Sequence, residues 1–260
     1  TDLGKEWSPH CALYSDEPRG RSLPSILLSK ESASTILGAG LEEITLHAFV
    51  EQAAVKSAPL IVEYKPREWN GTSDVLMAHG DSVVVPYDKT ANGLFAVQDN
   101  GTGVEVLLRV FNEFKGNAKA RNSAKGLYWV FTFDEETTRL QARHAIEQIG
   151  QLTEIGYVIN IDTISQVGNL SVRANHPDAR FKKIRRRVLG DAKVFRMPQH
   201  TNSDIEFAAN KGYCCYDFLT TGIAPTTINN QYDIILPTDD ERLERVVEFI
   251  LQNYKFEKIK

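Results

Sequence analysis

The apolar run "DVLMA" ends in His79, Gly80 and Asp81, and the run "GLYWVFTF" ends in Asp134, Glu135 and Glu136. A further run, "GYVINI", ends in Asp162, and Asp99 stands in the glycine-containing turn "VQDNGTGV" just ahead of a helical pattern. Each acid alone has an ordinary explanation, because carboxylates at the start of a helix cap it and favour its dipole. Several at one rim are different. Carboxylates that converge repel one another, and their pKa values rise unless a cation sits among them. An imidazole among carboxylates is a ligand set for zinc or a similar divalent ion. Asp81, two residues after His79, is placed to orient the imidazole through its second nitrogen. The chemistry this supports is metal-assisted hydrolysis with a spare carboxylate as general base.

The elements that must hold these residues read as alternating strands and helices from about Pro59 onward. Strands are expected at 59–65, 73–79, 126–133 and 156–162, with a turn at "NGTS" between the first two. The spacing of Val104, Leu107, Leu108 and Phe111 predicts a helix over 102–115. Further helices are expected at 138–150, closed by Gly150, at 203–212 and at 238–254, the last with an acidic first turn. Alternation in this order implies a largely parallel sheet covered on both faces. Ligands of such sheets bind outside the carboxyl ends of the strands, where the candidate residues stand. Residues 1–50, with Pro18, Gly20 and Pro24 and a short apolar stretch, read as a lead-in or lid segment packed on a main domain over 51–260.

Composition narrows the function class. The chain has 260 residues, 42% of them hydrophobic, and a formal charge of −4. That balance argues against nucleic acid as a partner. The one basic cluster, Phe181 to Gly190, reads as the solvated side of an amphipathic helix. No apolar run approaches the roughly 18 residues of a membrane span. Cys11, Cys214 and Cys215 form neither a disulfide framework nor a thiolate metal pattern.

The segments "LMAHGDSV", "QDNGTGVEVLL", "FTFDEETTRLQARHA", "VINIDTI" and "NSDIEFAANKGY" occur in the order and approximate spacing of the co-catalytic zinc aminopeptidases, which the chain resembles from about Ala58 to its end. That clan also holds glutamate carboxypeptidases, glutaminyl cyclases and the non-enzymatic ectodomains of transferrin receptor and nicastrin. The resemblance implies an α/β three-layer fold, a mixed, mostly parallel β-sheet flanked by helices. It implies one or two zinc ions, with Asp99 bridging, His79 and Asp162 completing one site and Glu136 belonging to the other. Glu135 would be the base that takes a proton from metal-bound water, and Asp81 would orient His79. The segment 202–212 would line the far side of the site as a structural element. The substrate would be a peptide or small amide with a free amino end, and the resemblance favours a secreted or periplasmic protein.

Two departures stand out. The family's second site expects His in a His-Thr-x-x-Asp pattern before the last helix. Aligning Asp233 with that Asp puts Asn229 in the place of the His. An amide oxygen is neutral and hard, a poorer zinc ligand than imidazole. The literal match "HTNSD" at His200 already belongs to the earlier segment, although His200 or His176 could still complete the second site from a loop. In "EETTRL", Thr138 stands where the family often has Gly. The leading expectation is therefore a metal-dependent exopeptidase of the aminopeptidase type. The alternative is a pseudoenzyme that keeps the fold as a binding module.

Overall fold

The computed structural model describes residues 38, 57–82, 97–116, 124–165, 167–176, 187–190, 192–222 and 239–255. The expected lead-in over 1–50 lies outside the described residues apart from Gly38, as does most of the basic cluster. The described fold belongs to the unit Ala58–Lys260.

The elements follow in the order β1 (Leu60–Tyr64), β2 (Thr72–His79), α1 (Thr102–Gly116), β3 (Gly126–Thr132), α2 (Leu140–Leu152), β4 (Glu154–Ile161), β5 (Asn169–Ala174), β6 (Lys193–Arg196), α3 (Ile205–Asn210), β7 (Cys214–Thr221) and α4 (Asp239–Lys255). The strands form one sheet in the order β1-β3-β2-β4-β7-β5-β6. Its centre, β3-β2-β4-β7, is parallel, while β1 and β5 run antiparallel to their inner neighbours and β6 parallel to β5. The expected mixed, mostly parallel sheet is what the chain forms. β1 and β2, neighbours in the chain, are separated in the sheet by β3. β5, β6 and β7 are not among the elements expected from the sequence.

The central strands are buried on both faces, so their sequences are near-continuous apolar runs. Alternate residues of β2 feed two cores. Leu76 and Ala78 pack with Trp129, Ile159 and Phe218 under Val106, Leu107, Val110 and Phe114 of α1 and Val246, Phe249 and Ile250 of α4. Val75 and Met77 pack with Val130 and Val158 under Ala142, Ala145, Ile146 and Ile149 of α2 and Ile205 and Ala208 of α3. The result is three layers, helix on sheet on helix. Each large apolar side chain buried this way stabilises the fold by about 1.5–3 kcal/mol relative to exposure. Because β2, β3 and β4 are locked by cores on both faces, their carboxyl ends form a rigid rim, and the candidate residues sit on it.

Candidate metal centre

His79 is the last residue of β2 and is buried, 1% exposed. Its strand is held in register by β3, where His79 pairs with Thr132 and the N–H of Gly80 donates to the Thr132 carbonyl at 2.8 Å. The imidazole Nδ1 lies 3.1 Å from the Asp81 carbonyl oxygen and 3.4 Å from Asp81 Oδ1. Nε2 faces the opposite way, 3.3 Å from Asp99 Oδ1 and 3.5 Å from Asp162 Oδ1. His79, Asp99 and Asp162 each present a donor atom within 4.8 Å of the others'. Three chain segments distant in sequence thus meet at one point.

The meeting of Asp99 with Asp162 is built by the residues around Asp99. Asn100 is buried, and its Oδ1 accepts the N–H groups of Gly103 at 2.9 Å and Thr163 at 3.0 Å, while Nδ2 donates to the Ile161 carbonyl at 2.8 Å. Thr102 Oγ1 donates to the Gln98 carbonyl at 2.7 Å and accepts the N–H of Ile164 at 3.0 Å. These bonds staple the turn Val97–Gly101 and the start of α1 to the chain leaving β4. Asp99 and Asn100 have non-helical backbone, joined by a cis peptide. Gly103 is required by the close approach: a Cβ there would land on the Asn100 side chain and the Ile161 carbonyl. The sequence reading used "DNGTG" for its aspartate alone. A buried asparagine joining two loops leaves no signal of its own in one sequence.

Glu135 and Glu136 follow β3 in a turn that Asp81 holds. Asp81 Oδ1 accepts the Glu135 N–H at 3.2 Å and Oδ2 the Glu136 N–H at 3.3 Å. The Asp81 carboxylate therefore positions the two glutamates as well as lying beside His79. Asp134 caps the helix: its Oδ2 accepts the N–H of Leu140 at 2.9 Å and the hydroxyl of Thr138 at 2.6 Å. The left-handed backbone of this turn falls on Arg139 (φ 54°), one residue after Thr138. Glu136 Oε1 is buried without a hydrogen-bond partner among the described residues, yet Glu136 stands outside the converging set of three.

The electrostatics are those of a site with too much negative charge. Burial, followed by the charge of Asp162, pushes the Glu135 carboxyl up to about 10. Burial, then Asp99, pushes Glu136 to about 7. Burial also opposes ionisation of Asp162, but its neighbour His79 outweighs this and holds its pKa below the usual carboxylate value. For His79, burial disfavours the imidazolium, and Asp162, Asp81 and Asp99 together overcome it, raising its pKa well above the usual histidine range. Asp204, which the sequence reading treated as part of a structural segment, is buried at the same place. Its Oδ2 accepts the Thr132 hydroxyl, its Oδ1 has no partner among the described residues, and burial raises its pKa to about 7.

These features fit a divalent cation. His79 Nε2 is buried, close to two carboxylates, and meets hydrogen-bond geometry with neither. A nitrogen in that position costs about 1–3 kcal/mol if left unpaired, and one imidazole with two carboxylates is a zinc donor set. His200 and His176 do not join it: both are exposed, and His200 Nδ1 lies 3.1 Å from Glu206 Oε1. Asn229 and Asp233 lie outside the described residues. Beside Gly80, Asp81 and Asn100 a cavity of about 600 Å³ is lined by Leu60, Val62, Val104, Leu108, Phe111 and Phe133.

The sequence pattern of peptidase family M28 matches residues 60–253. No curated protein sequence matches the chain significantly. Among solved structures, a zinc aminopeptidase from Bacillus subtilis is similar with a TM-score of 0.61 and 19% identity, over 78% of this chain and 51% of that one. The LapA aminopeptidase of Legionella pneumophila has a TM-score of 0.57 and 13% identity, over 78% and 56%. A Zn-dependent exopeptidase from Parabacteroides distasonis has a TM-score of 0.56 and 17% identity, over 76% and 77%. At these identities the likeness is one of fold. The chain spans about half the length of the first two of these structures.

Proposed function

Because the chain belongs to peptidase family M28, we propose that it is a zinc-dependent exopeptidase of the aminopeptidase type, hydrolysing the bond next to a free amino end in a peptide or small amide. The observation that carries this reading is the convergence of a buried His79 Nε2, without a hydrogen bond, with the carboxylates of Asp99 and Asp162 beside two glutamates. His79, Asp99 and Asp162 would hold the tighter ion, with Asp99 and Glu136 left for a second, weaker site. Bound zinc supplies Lewis acidity toward a carbonyl oxygen and toward water.

The residues of the chain do the rest. Glu135 takes the proton of the attacking water and returns it to the leaving amine. To do so it must be ionised, and a cation held among the carboxylates would oppose the upward push that burial and Asp162 exert on it. Asp81 fixes the Glu135 and Glu136 backbone, so the base is held on a short turn between a buried strand and α2. Its carbonyl beside Nδ1 fixes the ring so that Nε2 faces Asp99 and Asp162. With the second site empty, Glu136 would offer the anionic group that a substrate's ammonium requires.

The test is hydrolysis by the zinc-loaded full chain of a leucine p-nitroanilide and its N-acetylated form, with Glu135→Gln alongside. The leucine side chain suits the apolar cavity beside the centre. The proposal expects cleavage of the free-amine substrate, loss of activity on acetylation, and a drop of about 10²–10⁴-fold in Glu135→Gln with zinc retained. Zinc binding with no hydrolysis of any free-amine substrate would favour the pseudoenzyme, for which Asn229 in the place of the expected His is the supporting feature.

A further inference from the structure

A row of polar residues crosses the sheet where apolar side chains would be expected. Asn160 of β4 pairs in register with Asp217 of β7, and Asp217 pairs with Arg173 of β5. Residues paired across neighbouring strands share a face of the sheet, so these side chains stand side by side. Asn160 and Asp217 are fully buried, and the Arg173 side chain is 18% exposed.

The donors in this row have only one consistent arrangement. An arginine can only donate, and Arg173 Nε gives its hydrogen to Asp217 Oδ2 at 2.8 Å, with Nη2 on the same oxygen. Arg173 Nη1 donates to the Thr201 carbonyl at 3.2 Å, which ties the row to the segment carrying Ser203. An ionised carboxylate can only accept, so Asp217 Oδ1 takes a hydrogen from Asn160 Nδ2 at 2.9 Å. The second hydrogen of that amide points at Ser203 Oγ, also at 2.9 Å. With its oxygen already accepting, the Ser203 hydroxyl has its own hydrogen for Asp162 Oδ2, 3.3 Å away. The opposite orientation of the Asn160 amide would set oxygen against the carboxylate of Asp217, although it would find a partner for Asn160 Oδ1, which has none among the described residues. The other oxygen of Asp162, Oδ1, accepts from Thr163 Oγ1 at 2.9 Å and faces His79 Nε2.

We propose that Arg173, Asp217 and Asn160 form a buried positioning relay that acts through the Ser203 hydroxyl to hold Asp162 in its ion-binding orientation before the ion arrives. The charge of Arg173 keeps Asp217 an acceptor; Asp217 fixes which way the Asn160 amide faces; the amide fixes which way the Ser203 hydroxyl points. The relay rests on the reading of Asp162 as a zinc ligand. None of its members touches substrate, and their effect is on the affinity of the site.

The experiment measures the zinc dissociation constant of the full chain by competition with a chelating dye, for the parent, Ser203→Ala, Ser203→Thr, Asp217→Asn and the double variant Ser203→Ala with Asp217→Asn. Loss of an outer partner of a metal ligand typically weakens binding about 10–100-fold. The relay expects about tenfold weaker binding in Ser203→Ala and in Asp217→Asn and near-parental binding in Ser203→Thr. It also expects the double variant to bind no worse than Ser203→Ala alone, because Asp217 acts only through that hydroxyl. Independent, additive losses would overturn the relay, as would parental affinity in Ser203→Ala. A parent that binds no zinc would overturn the metal reading itself, and the relay with it. If Asp217→Asn fails to fold, Arg173→Gln, at the partly exposed end of the row, takes its place in the cycle with the same expectation.

Discussion

Replacing Asn100 by Asp tests the staple that brings Asp99 to Asp162, because the change keeps the shape and alters one atom's chemistry. Asn100 Oδ1 accepts two backbone N–H groups, and a carboxylate accepts them at least as well. Nδ2 donates to the Ile161 carbonyl at 2.8 Å in a buried setting, and a carboxylate oxygen there would face another oxygen. Only the protonated acid, with an O–H in place of the amide N–H, restores the bond. The introduced carboxyl therefore has a folded-state pKa raised above its unfolded value of about 3.9. Its stability contribution is present below that unfolded value and is lost as pH rises through the folded one. A buried carboxyl beside other acids is raised by about 3 pH units. At about 1.4 kcal/mol for each, Asn100→Asp loses about 4 kcal/mol once the pH exceeds about 7. At pH 4 the loss is within about 1 kcal/mol. Urea unfolding of Asn100→Asp and parent at pH 4 and pH 7.5, both in chelator so that no cation shields the group, measures the two differences. An equal loss at both values, or none at pH 7.5, would refute the staple as described.

Other expectations follow from the same geometry. Asp81→Ala frees the Glu135 and Glu136 N–H groups and removes a carboxylate beside His79; zinc affinity should fall about 10–100-fold in a dye competition, with kcat reduced in the zinc-saturated variant. Gly103→Ala drives a methyl into Asn100 and the Ile161 carbonyl and should destabilise the fold by about 2 kcal/mol or more, seen as a lower Tm than that of Gly116→Ala, where a Cβ meets nothing. Elemental analysis after zinc loading and desalting should find a single tightly held ion, since the converging donors among the described residues are those of His79, Asp99 and Asp162; two retained ions would show that Asn229 or another group completes the second site.

The strand ends were legible because a buried parallel strand is a continuous apolar run, and a charged residue closing such a run has few reasons to be there. His79, Glu135, Glu136 and Asp162 could be picked out on that ground. Asp99 needed its glycine-rich setting and the resemblance. Asp134 could be read as a cap because helix starts follow local rules. What stayed hidden was everything that works across the sheet. β7 has no clean pattern of its own, since Cys214, Asp217 and two threonines interrupt it, and it becomes a strand by pairing with β4 and β5. Asn160 looks like a blemish in "YVINI" until Asp217 and Ser203 stand beside it. Asp204 reads as a helix start, and its burial next to Thr132 comes from a strand 72 residues earlier.

The sequence by itself determined the layer architecture, since periodicity decides which residues must be buried, and it determined the donor chemistry, since residue type decides what can bind a cation or carry a proton. Tertiary structure decided the rest. It set which carboxylates converge on His79 Nε2 and which cap or position, because that depends on strand order and on hydrogen bonds between segments about twenty to eighty residues apart. It also set the charge state of the site. A pKa follows from burial and neighbours, and both exist only once the chain has folded.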